Sequence, residues 1–380
     1  MKFSTNAIHA GYIRSKIDGA IIPPLHLTTT FEFKNEGGYD YSRTVNPTRI
    51  ILEQAIAKLD NNAFGLAYSS GSAALANVAA LLKPDEQILF SADAYGGTYR
   101  FIVRVAGNQG IGYKIEDLTN LNKVEKVLKR NTIKIVWVES PTNPLLKVTD
   151  IEKLARLSHR YDSLLVVDNT FASPIFQQPQ AWGADAVVYS TTKYINGHSD
   201  SIGGALTTSD EKLYVQLKFL QNSIGAILSP FDSWLTLRGL KTLELRMQRH
   251  GENAEKIATF LNKHPRIKKV YYPGFFTGTQ GAIVKKQMKH PGGMISFEID
   301  PLYDEKQFIK GLQLIPLAES LGGVESLLDH PVSMTHGSIP KKEREKIGLS
   351  DGLLRLSVGI ENSEDLLADI ELALSGMKKR

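Results

Sequence analysis

Lys193 lies in the stretch VVYSTTKYINGHSD, residues 187–200, where an apolar run gives way to hydroxyl side chains. A lysine there gains nothing from packing, whereas an amine kept away from water has a lowered pKa and can form a Schiff base with an aldehyde. The flanking Ser190 and Thr192 could donate hydrogen bonds to an anion. The alternative is that Lys193 is a solvated charge in a loop, as is usual for any one of the 45 Lys and Arg residues in this chain.

Two other features lie just beyond the carboxyl end of a predicted strand. Gly71 and Ser72 form a turn before a predicted helix, where free backbone N–H groups and the helix dipole favour a phosphate. Asp168 ends the apolar run LLVV, and its carboxylate could pair with a protonated ring nitrogen. A phosphate cradle, a carboxylate and a dry amine together are what pyridoxal 5′-phosphate requires.

The elements that must position these residues are predicted from periodicity and turn signals. Apolar runs predict buried strands, and helical patterns separate several of them. The alternation predicts an α/β fold with a mainly parallel sheet, in which ligands bind at the carboxyl ends of the strands. The predicted strands cover residues 64–68, 87–93, 133–140, 163–171, 185–190 and 203–208.

Helix starts carry their own signals. Asn46 is predicted to cap a helix whose first residue is Pro47, and Asp150 to cap another. A third helix is predicted from about Ser72 to Leu82. After residue 235 the pattern predicts one long helix through residues 237–264, the strands KKVYY and GGMISFEI, and a terminal helix from Ser363.

Three parts of the chain are distinguished by these patterns. Residues 1–45, rich in Thr, Pro and Gly, are predicted to be an extended arm that packs on another subunit. Residues 46–235 are predicted to form the cofactor-binding α/β domain, and residues 236–380 a smaller α+β domain.

The composition excludes several classes of protein. The 380 residues are 42% hydrophobic and 22% charged, which is typical of a folded globular chain. The lack of cysteine excludes disulfides, thiolate metal sites and cysteine nucleophiles. Basic residues are interspersed among 40 acids, so the net charge of +5 favours weak anion attraction over nucleic-acid binding. The absence of an apolar signal segment or uninterrupted membrane span leaves the cytoplasm as the expected location.

Metal and nicotinamide sites are also disfavoured. The nine histidines show no pairing with acids at metal-ligand spacing, and His330 and His336 are the nearest pair, so no metal site is predicted. Gly107, Gly110 and Gly112 do not have the spacing of a dinucleotide-binding turn.

Nine ordered motifs make nearly the whole chain resemble the Cys/Met-metabolism family of pyridoxal-phosphate enzymes. The resemblance implies the fold-type I architecture of that family, with a mainly parallel seven-stranded sheet and a smaller α+β C-terminal domain. The motifs are YSRTVNPTR at 41–49, SSGSAA at 69–74, DAYGGTYR at 93–100, ESPTNP at 139–144, VVDNTFASP at 166–174, YSTTKYINGHSD at 189–200, AESLGGVESL at 318–327, MTH at 334–336 and LLRLSVGIE at 353–361.

The resemblance implies roles for the residues around the cofactor. Lys193 would hold the cofactor aldehyde as an imine and move protons between substrate carbons. Asp168 would hold the pyridinium proton, and Tyr95 would stack on the ring. The phosphate would be bound by Gly71, Ser72, Ser190 and Thr192.

The resemblance also implies an assembly. Tyr41 and Arg43 would reach the phosphate from a neighbouring subunit, which makes the active site a property of a dimer and adds Tyr41 to the catalytic residues. The family is commonly a tetramer of two such dimers, so a homotetramer is expected.

The substrate is expected to be a small amino acid held through its α-carboxylate. Arg355 would clamp that carboxylate with its planar, two-pronged guanidinium, and Ser320 and Asn143 would assist it. The alternative for Arg355 is a strand arginine paired with a nearby acid such as Glu361.

The reaction within the family is inferred from a few positions. Gly97 stands where methionine γ-lyases carry cysteine, which disfavours that activity. Glu319 matches an acidic position common in cystathionine γ-lyases and γ-synthases, and Asp40 would be a second acid near the distal end of the substrate. An acid there suits the distal ammonium of L-cystathionine, although a capping or surface carboxylate is an equal alternative for Glu319.

The sequence therefore predicts γ-elimination of L-cystathionine. The alternatives are γ-replacement by cysteine on an O-acylated homoserine, β-elimination, and a non-enzymatic anion-binding protein, which the ordered motifs disfavour. Val45, Ser72 and the pair His26-Leu27 depart from the family pattern near the expected cofactor or entrance, which leaves the substrate range open.

Overall fold

The computed structural model describes residues 1–12, 19–335, 337 and 340–380. Seven strands form one sheet in the order β1-β7-β6-β5-β4-β2-β3, and four form a second in the order β10-β11-β9-β8. The strands are β1 Phe64–Tyr68, β2 Gln87–Ser91, β3 Gly112–Glu116, β4 Ile133–Glu139, β5 Leu164–Asp168, β6 Ala186–Tyr189, β7 Gly204–Thr208, β8 Ile267–Tyr271, β9 Met294–Ile299, β10 Leu327–Asp329 and β11 Leu353–Ser357.

Helices cover both faces of the large sheet and one side of the small one. They are α1 Phe3–His9, α2 Pro47–Leu59, α3 Gly71–Ala79, α4 Gly96–Tyr99, α5 Leu121–Arg130, α6 Ile151–Arg160, α7 Ser173–Phe176, α8 Glu211–Ile224, α9 Pro230–Leu240, α10 Leu243–Lys263, α11 Gly278–Gln287, α12 Glu305–Gly311, α13 Lys341–Ile347 and α14 Ser363–Gly376. A π-helical turn, Arg100–Ala106, continues α4. Within the described ranges, no helix has the length and apolarity needed to cross a membrane.

The seven-stranded sheet is mainly parallel, as the sequence predicts. Strands β3, β2, β4, β5 and β6 pair in parallel, while β7 pairs antiparallel with both β6 and β1. Parallel strands end at the same edge, so the segments after β2, β4, β5 and β6 meet there. The predicted caps are confirmed: Asn46 accepts from the N–H groups of Thr48 and Arg49, and Asp150 accepts from that of Lys153.

The smaller sheet is antiparallel and packs with α10 and α14 around a second apolar core. The single helix predicted over residues 237–264 is wrong, because α9 and α10 are separated at residues 241–242. The carbonyl of Gly239, which would continue the helix, accepts from the Thr242 N–H at 3.2 Å and from Arg246 Nη2 at 2.8 Å instead. This turn places the Arg246 guanidinium against the Tyr194 and Ile195 carbonyls, directly after Lys193.

Candidate active site

Lys193 lies in a tight turn that follows β6 at the carboxyl edge of the large sheet. Its N–H donates to the Ser190 carbonyl at 3.2 Å, and its own carbonyl accepts from the Gly197 N–H at 2.8 Å. The side chain is partly buried and points at the smaller domain, where Nζ donates to Ser320 Oγ at 2.8 Å. Because the amine is partly buried and hydrogen-bonded to the smaller domain, it is not a solvated loop charge.

The surroundings of Lys193 favour its neutral amine. Burial is the main cause that lowers its pKa to about 8, and the positive charge of Arg355 acts in the same direction. The negative charges of Glu319 and Asp329 oppose this shift. A neutral amine is the form that attacks an aldehyde and accepts a proton from carbon.

The lowered pKa predicts a distinct pH dependence for the reactivity of Lys193. In cofactor-free protein, the rate at which its amine combines with pyridoxal phosphate is expected to rise with pH and level off above about 8, because the amine is then neutral. An ordinary lysine would continue to gain reactivity towards about pH 10.4. Borohydride trapping followed by peptide mass analysis measures both, with the exposed Lys129 as the internal control. A rate at Lys193 that kept rising in parallel with Lys129 would contradict the assignment.

The turn before α3 has the form of an anion cradle. Ser70 caps the helix by accepting the Ala73 N–H at 3.0 Å, so the next N–H groups are left at its positive end. Gly71 lies so close to the segment after β6 that a Cβ at this position would meet Ser190 Cβ at 3.0 Å. A glycine is needed here to keep the strand–helix turn and the Ser190 turn in contact.

The hydroxyl groups predicted to bind phosphate differ in their present partners. Ser72 is exposed at the first turn of α3. The Thr192 hydroxyl donates to the Gly203 carbonyl at 3.2 Å and accepts from the Gly203 N–H at 3.0 Å. For Thr192 to donate to a phosphate, its hydroxyl must rotate away from the Gly203 carbonyl.

Asp168 ends β5 beside these two turns. Its Oδ1 accepts from the Thr170 N–H at 3.1 Å and from the Thr170 hydroxyl at 2.5 Å, which fixes the carboxylate at the sheet edge. Burial raises the pKa of Asp168, and the bonds from Thr170 oppose the shift. A protonated ring nitrogen beside this carboxylate would favour its charged form.

Tyr95 follows β2 and presents its ring to the same edge. The ring is 39% exposed, while the Tyr95 N–H donates to Glu139 Oε2 at 2.9 Å. A Cβ at position 97 would meet Tyr95 Cε1 at 2.3 Å, so Gly97 provides the space in which the ring lies. The side chain is available for stacking while its backbone is held.

Arg355 comes from β11 and is held from three sides. Nη1 donates to Asn143 Oδ1 at 2.8 Å, and Nη2 donates to the Ser320 carbonyl at 3.1 Å. Nη2 also pairs with Asp329 Oδ2 at 3.1 Å, and both side chains are 1% exposed. The Nε group of Arg355 has no hydrogen-bond partner among the described residues, which leaves a buried donor for an incoming anion.

The alternative considered for Arg355, a strand arginine paired with a nearby acid, describes its contact in the structure, but the acid is Asp329 and not Glu361. Glu361 accepts from the N–H and hydroxyl of Ser326 at 2.6 and 2.9 Å and therefore does not pair with the arginine. Asp329 pairs with it instead because β10 and β11 are antiparallel and these two residues are register partners.

The two acids and the two arm residues assigned to the site are more exposed to solvent than Lys193 and Arg355. Glu319 is exposed and acts on Lys193 through its charge. Asp40 is exposed, and its Oδ1 accepts the Tyr41 N–H at 2.6 Å. The guanidinium of Arg43 lies 5.5 Å from the centre of the Tyr41 ring, and the Arg43 carbonyl accepts from Arg49. Within one chain, Tyr41 and Arg43 thus contact each other and α2, and Arg43 also lies close to Gly225 at the end of α8.

The nearest pair of histidines in the sequence, His330 and His336, is only partly described by the structure. The ring of His330 bonds to Ser333 Oγ at 2.7 Å and to the Asp351 carbonyl at 2.8 Å, while His336 and part of the MTH motif lie outside the described residues. The described residues contain no cluster of three or more His, Cys, Asp or Glu side chains that could hold a metal.

The chain is similar in sequence and fold to known enzymes. Residues 4–375 match the family described as Cys/Met metabolism PLP-dependent enzyme. The chain belongs to this family. A cystathionine gamma-lyase of Dictyostelium discoideum is 50% identical over 98% of this chain and 97% of the relative. A cystathionine beta-lyase of Coxiella burnetii is 48% identical over 97% of each. The crystal structure of cystathionine gamma synthase from Xanthomonas oryzae pv. oryzae in complex with cystathionine superposes with a TM-score of 0.95 at 43% identity, over 99% of this chain and 98% of that one.

Members of the Cys/Met-metabolism family depend on pyridoxal phosphate, and the residues at the sheet edge fit that cofactor. The Gly71 turn would hold the phosphate, Asp168 would pair with the ring nitrogen, and the exposed Tyr95 would stack on the ring. Lys193 provides an amine of lowered pKa next to the unpaired Nε of Arg355.

Three residues beside these side chains are absent from the sequence assignment. Glu139 binds the Tyr95 N–H, Asp329 pairs with Arg355, and Thr170 fixes Asp168. The signal that selects Asp168, an acid at the end of an apolar run, applies equally to Glu139 at the end of IKIVWVE. The partners of Arg355 and Asp168 have no comparable signal.

Proposed function

We propose that this family member is a cystathionine γ-lyase, which converts L-cystathionine and water to L-cysteine, 2-oxobutanoate and ammonia. The observation that carries the proposal is the position of Glu319. It precedes Ser320, whose hydroxyl accepts from Lys193 Nζ, and its charge acts on that amine. An acid at this place would attract the distal ammonium of cystathionine once the α-carboxylate has reached Arg355.

The chain supplies orientation and proton transfer. Pyridoxal phosphate, when bound, supplies the electron sink that stabilises negative charge on the substrate Cα. Arg355 would orient the α-carboxylate through Nε and Nη, with Asn143 and Ser320 holding the guanidinium. Lys193 would take the proton from Cα, release it, and then remove a second proton from Cβ. This second proton would pass to the sulfur as the Cγ–S bond breaks, so that L-cysteine leaves as a neutral thiol. The hydrogen bond from Nζ to Ser320 Oγ keeps the amine beside these carbons.

The products distinguish this function from its alternatives. Purified protein given L-cystathionine alone is expected to release 2-oxobutanoate and cysteine. Pyruvate and homocysteine as the main products would mean β-elimination, the reaction named for the Coxiella burnetii relative. If cystathionine forms from an O-acylhomoserine and cysteine faster than it is cleaved, the reaction is γ-replacement. This is the reaction for which the Xanthomonas oryzae enzyme, a cystathionine gamma synthase, is named.

A salt-sensitive complex with polynucleotide, without a bound chromophore, would indicate the non-enzymatic anion-binding alternative. This outcome would overturn the enzyme assignment altogether. A yellow protein that turns over cystathionine would exclude it.

We also propose that the active site is shared in a homotetramer of two dimers. The exposure of Tyr41 and the contact between Tyr41 and Arg43 leave both side chains available to a second subunit. Tyr41→Ala and Lys193→Ala proteins are each expected to be inactive. Hybrids formed by mixing and reassembly should recover about a quarter of the wild-type activity, because half of the dimers would then hold one intact site. Hybrids without recovered activity would place both residues in one subunit's site.

A further inference from the structure

Glu139 is a buried acid whose place in the sheet sets it beside Asp168. It ends β4 and is the register partner of Asp168, which ends β5. Register partners on parallel strands lie about 4.8 Å apart and direct their side chains to the same face. Glu139 is only 4% exposed, so little water screens the two carboxyl groups from one another.

The other charged groups around Glu139 do not neutralise it. Asp93, from the segment after β2, adds a third acid that is 3% exposed and further disfavours a charge on Glu139. Arg355, from β11, is the nearby cation, but its Nη2 is paired with Asp329 at 3.1 Å. The Nε of Arg355 has no hydrogen-bond partner among the described residues and would bind the substrate carboxylate.

Two neighbouring buried carboxyl groups do not both ionise, and the contacts show which of them keeps a proton. Asp168 accepts two hydrogen bonds from Thr170 and would have the cofactor ring nitrogen as a partner, and all of these favour its charged form. Glu139 has lost more hydration, and the backbone N–H groups of Tyr95 and Asn143 that donate to it only partly offset this loss. Burial first, and then the charge of Asp168, raises the pKa of Glu139 well above its ordinary value.

We propose that Glu139 is a positioning residue that acts as a neutral carboxylic acid: it holds the backbone of Tyr95 against the sheet and leaves Asp168 as the charged carboxylate below the cofactor ring. The neutral form removes a competing charge that would otherwise weaken the pairing of Asp168 with the ring nitrogen. The hydrogen bond at 2.9 Å fixes the start of the segment that carries the stacking ring. The inference rests on the cofactor and is independent of which of the three reactions the enzyme catalyses.

Substitution by glutamine separates the neutral acid from a charged one. Glu139→Gln keeps the size of the side chain and an oxygen that accepts the Tyr95 N–H, but it cannot ionise. Holoenzyme carrying this change is expected to bind pyridoxal phosphate within about threefold of wild type. The pH at the midpoint of its visible absorbance change should also stay within about 0.3 units. Glu139→Ala, which loses the hydrogen bond, is expected to weaken cofactor binding roughly fivefold to tenfold.

An infrared measurement reads the proton without depending on turnover. At pH 8, Asp60 and Asp93 are ionised, because burial raises the pKa of each only to about 6. The wild-type spectrum minus that of Glu139→Gln should therefore contain the C=O stretching band of a protonated carboxylic acid, in holoenzyme and cofactor-free protein alike.

The proposal is overturned by any of three results. The first is a difference spectrum without the acid band. The second is a fall of one unit or more in the midpoint pH of Glu139→Gln, which would show that a negative charge had been removed. The third is equal cofactor binding by the alanine and glutamine variants, which would show that the hydrogen bond from Tyr95 to residue 139 does not contribute to cofactor binding. If Glu139→Ala does not fold, the glutamine protein and its infrared spectrum still decide the question.

Discussion

Replacing Lys193 by alanine is expected to lower the turnover of L-cystathionine by about 10³-fold or more, because proton transfer by a positioned side chain contributes about 10² to 10⁴. The variant loses the amine that lies at the carboxyl edge of the sheet, 2.8 Å from Ser320 Oγ. The phosphate cradle at Gly71 and the carboxylate of Asp168 remain. The protein should therefore still bind pyridoxal phosphate, but more weakly. Steady-state turnover and equilibrium dialysis measure the two effects separately.

The control for this change is Lys129→Ala on α5, whose side chain is 58% exposed and pairs with Glu125. It should retain wild-type turnover, since exposed pairs of this kind contribute little. A Lys193→Ala protein that still turned over cystathionine at the rate of the Lys129→Ala protein would contradict the assignment of the proton-transfer group.

Replacing Arg355 by lysine is expected to lower kcat/KM for L-cystathionine by about 10²-fold, in line with the about 1.5–3 kcal/mol of a hydrogen bond to a charged group. Lysine keeps a positive charge for Asp329 but loses the planar fork that Asn143 and Ser320 orient. Cofactor binding should change little, because Arg355 is proposed to bind the substrate carboxylate and not the phosphate.

Thermal unfolding and cofactor titration separate this role from a structural one. Arg355→Ala would leave Asp329 buried without its cation, which costs about 3–5 kcal/mol of stability and would confuse the comparison. Arg249→Lys, at an exposed position on α10, is the control for a charge-conserving change. Equal losses of cofactor and substrate binding in Arg355→Lys would place the arginine at the phosphate and refute its assignment as the carboxylate clamp.

Much of the fold could be predicted because strands of the parallel sheet are short apolar runs with clear ends. Strand β3 was not predicted, since Tyr113, Lys114 and Ile115 are exposed at the sheet edge and break the apolar pattern. The break between α9 and α10 also escaped prediction. It depends on Arg246 and Thr242 competing for one carbonyl, which helical periodicity does not report.

The site could be predicted as far as single residues at strand ends allow. Asp168 ends one apolar run and Lys193 follows another after three hydroxyl residues, and the parallel pairing of β5 with β6 brings the ends of both strands to one edge. The pairing of Arg355 with Asp329 and the closeness of Glu139 to Asp168 depend on strand register. Register is set by packing between segments that are far apart in the chain, so it could not be predicted from this single sequence.

The central claim is that the cofactor is linked through the amine of Lys193, and borohydride reduction of the holoenzyme tests it most directly. After digestion, the peptide that contains Lys193 should carry the mass of reduced pyridoxal phosphate, and the visible absorbance should be lost in proportion. Attachment of the cofactor at another lysine, with the Lys193 peptide unmodified, would contradict the account.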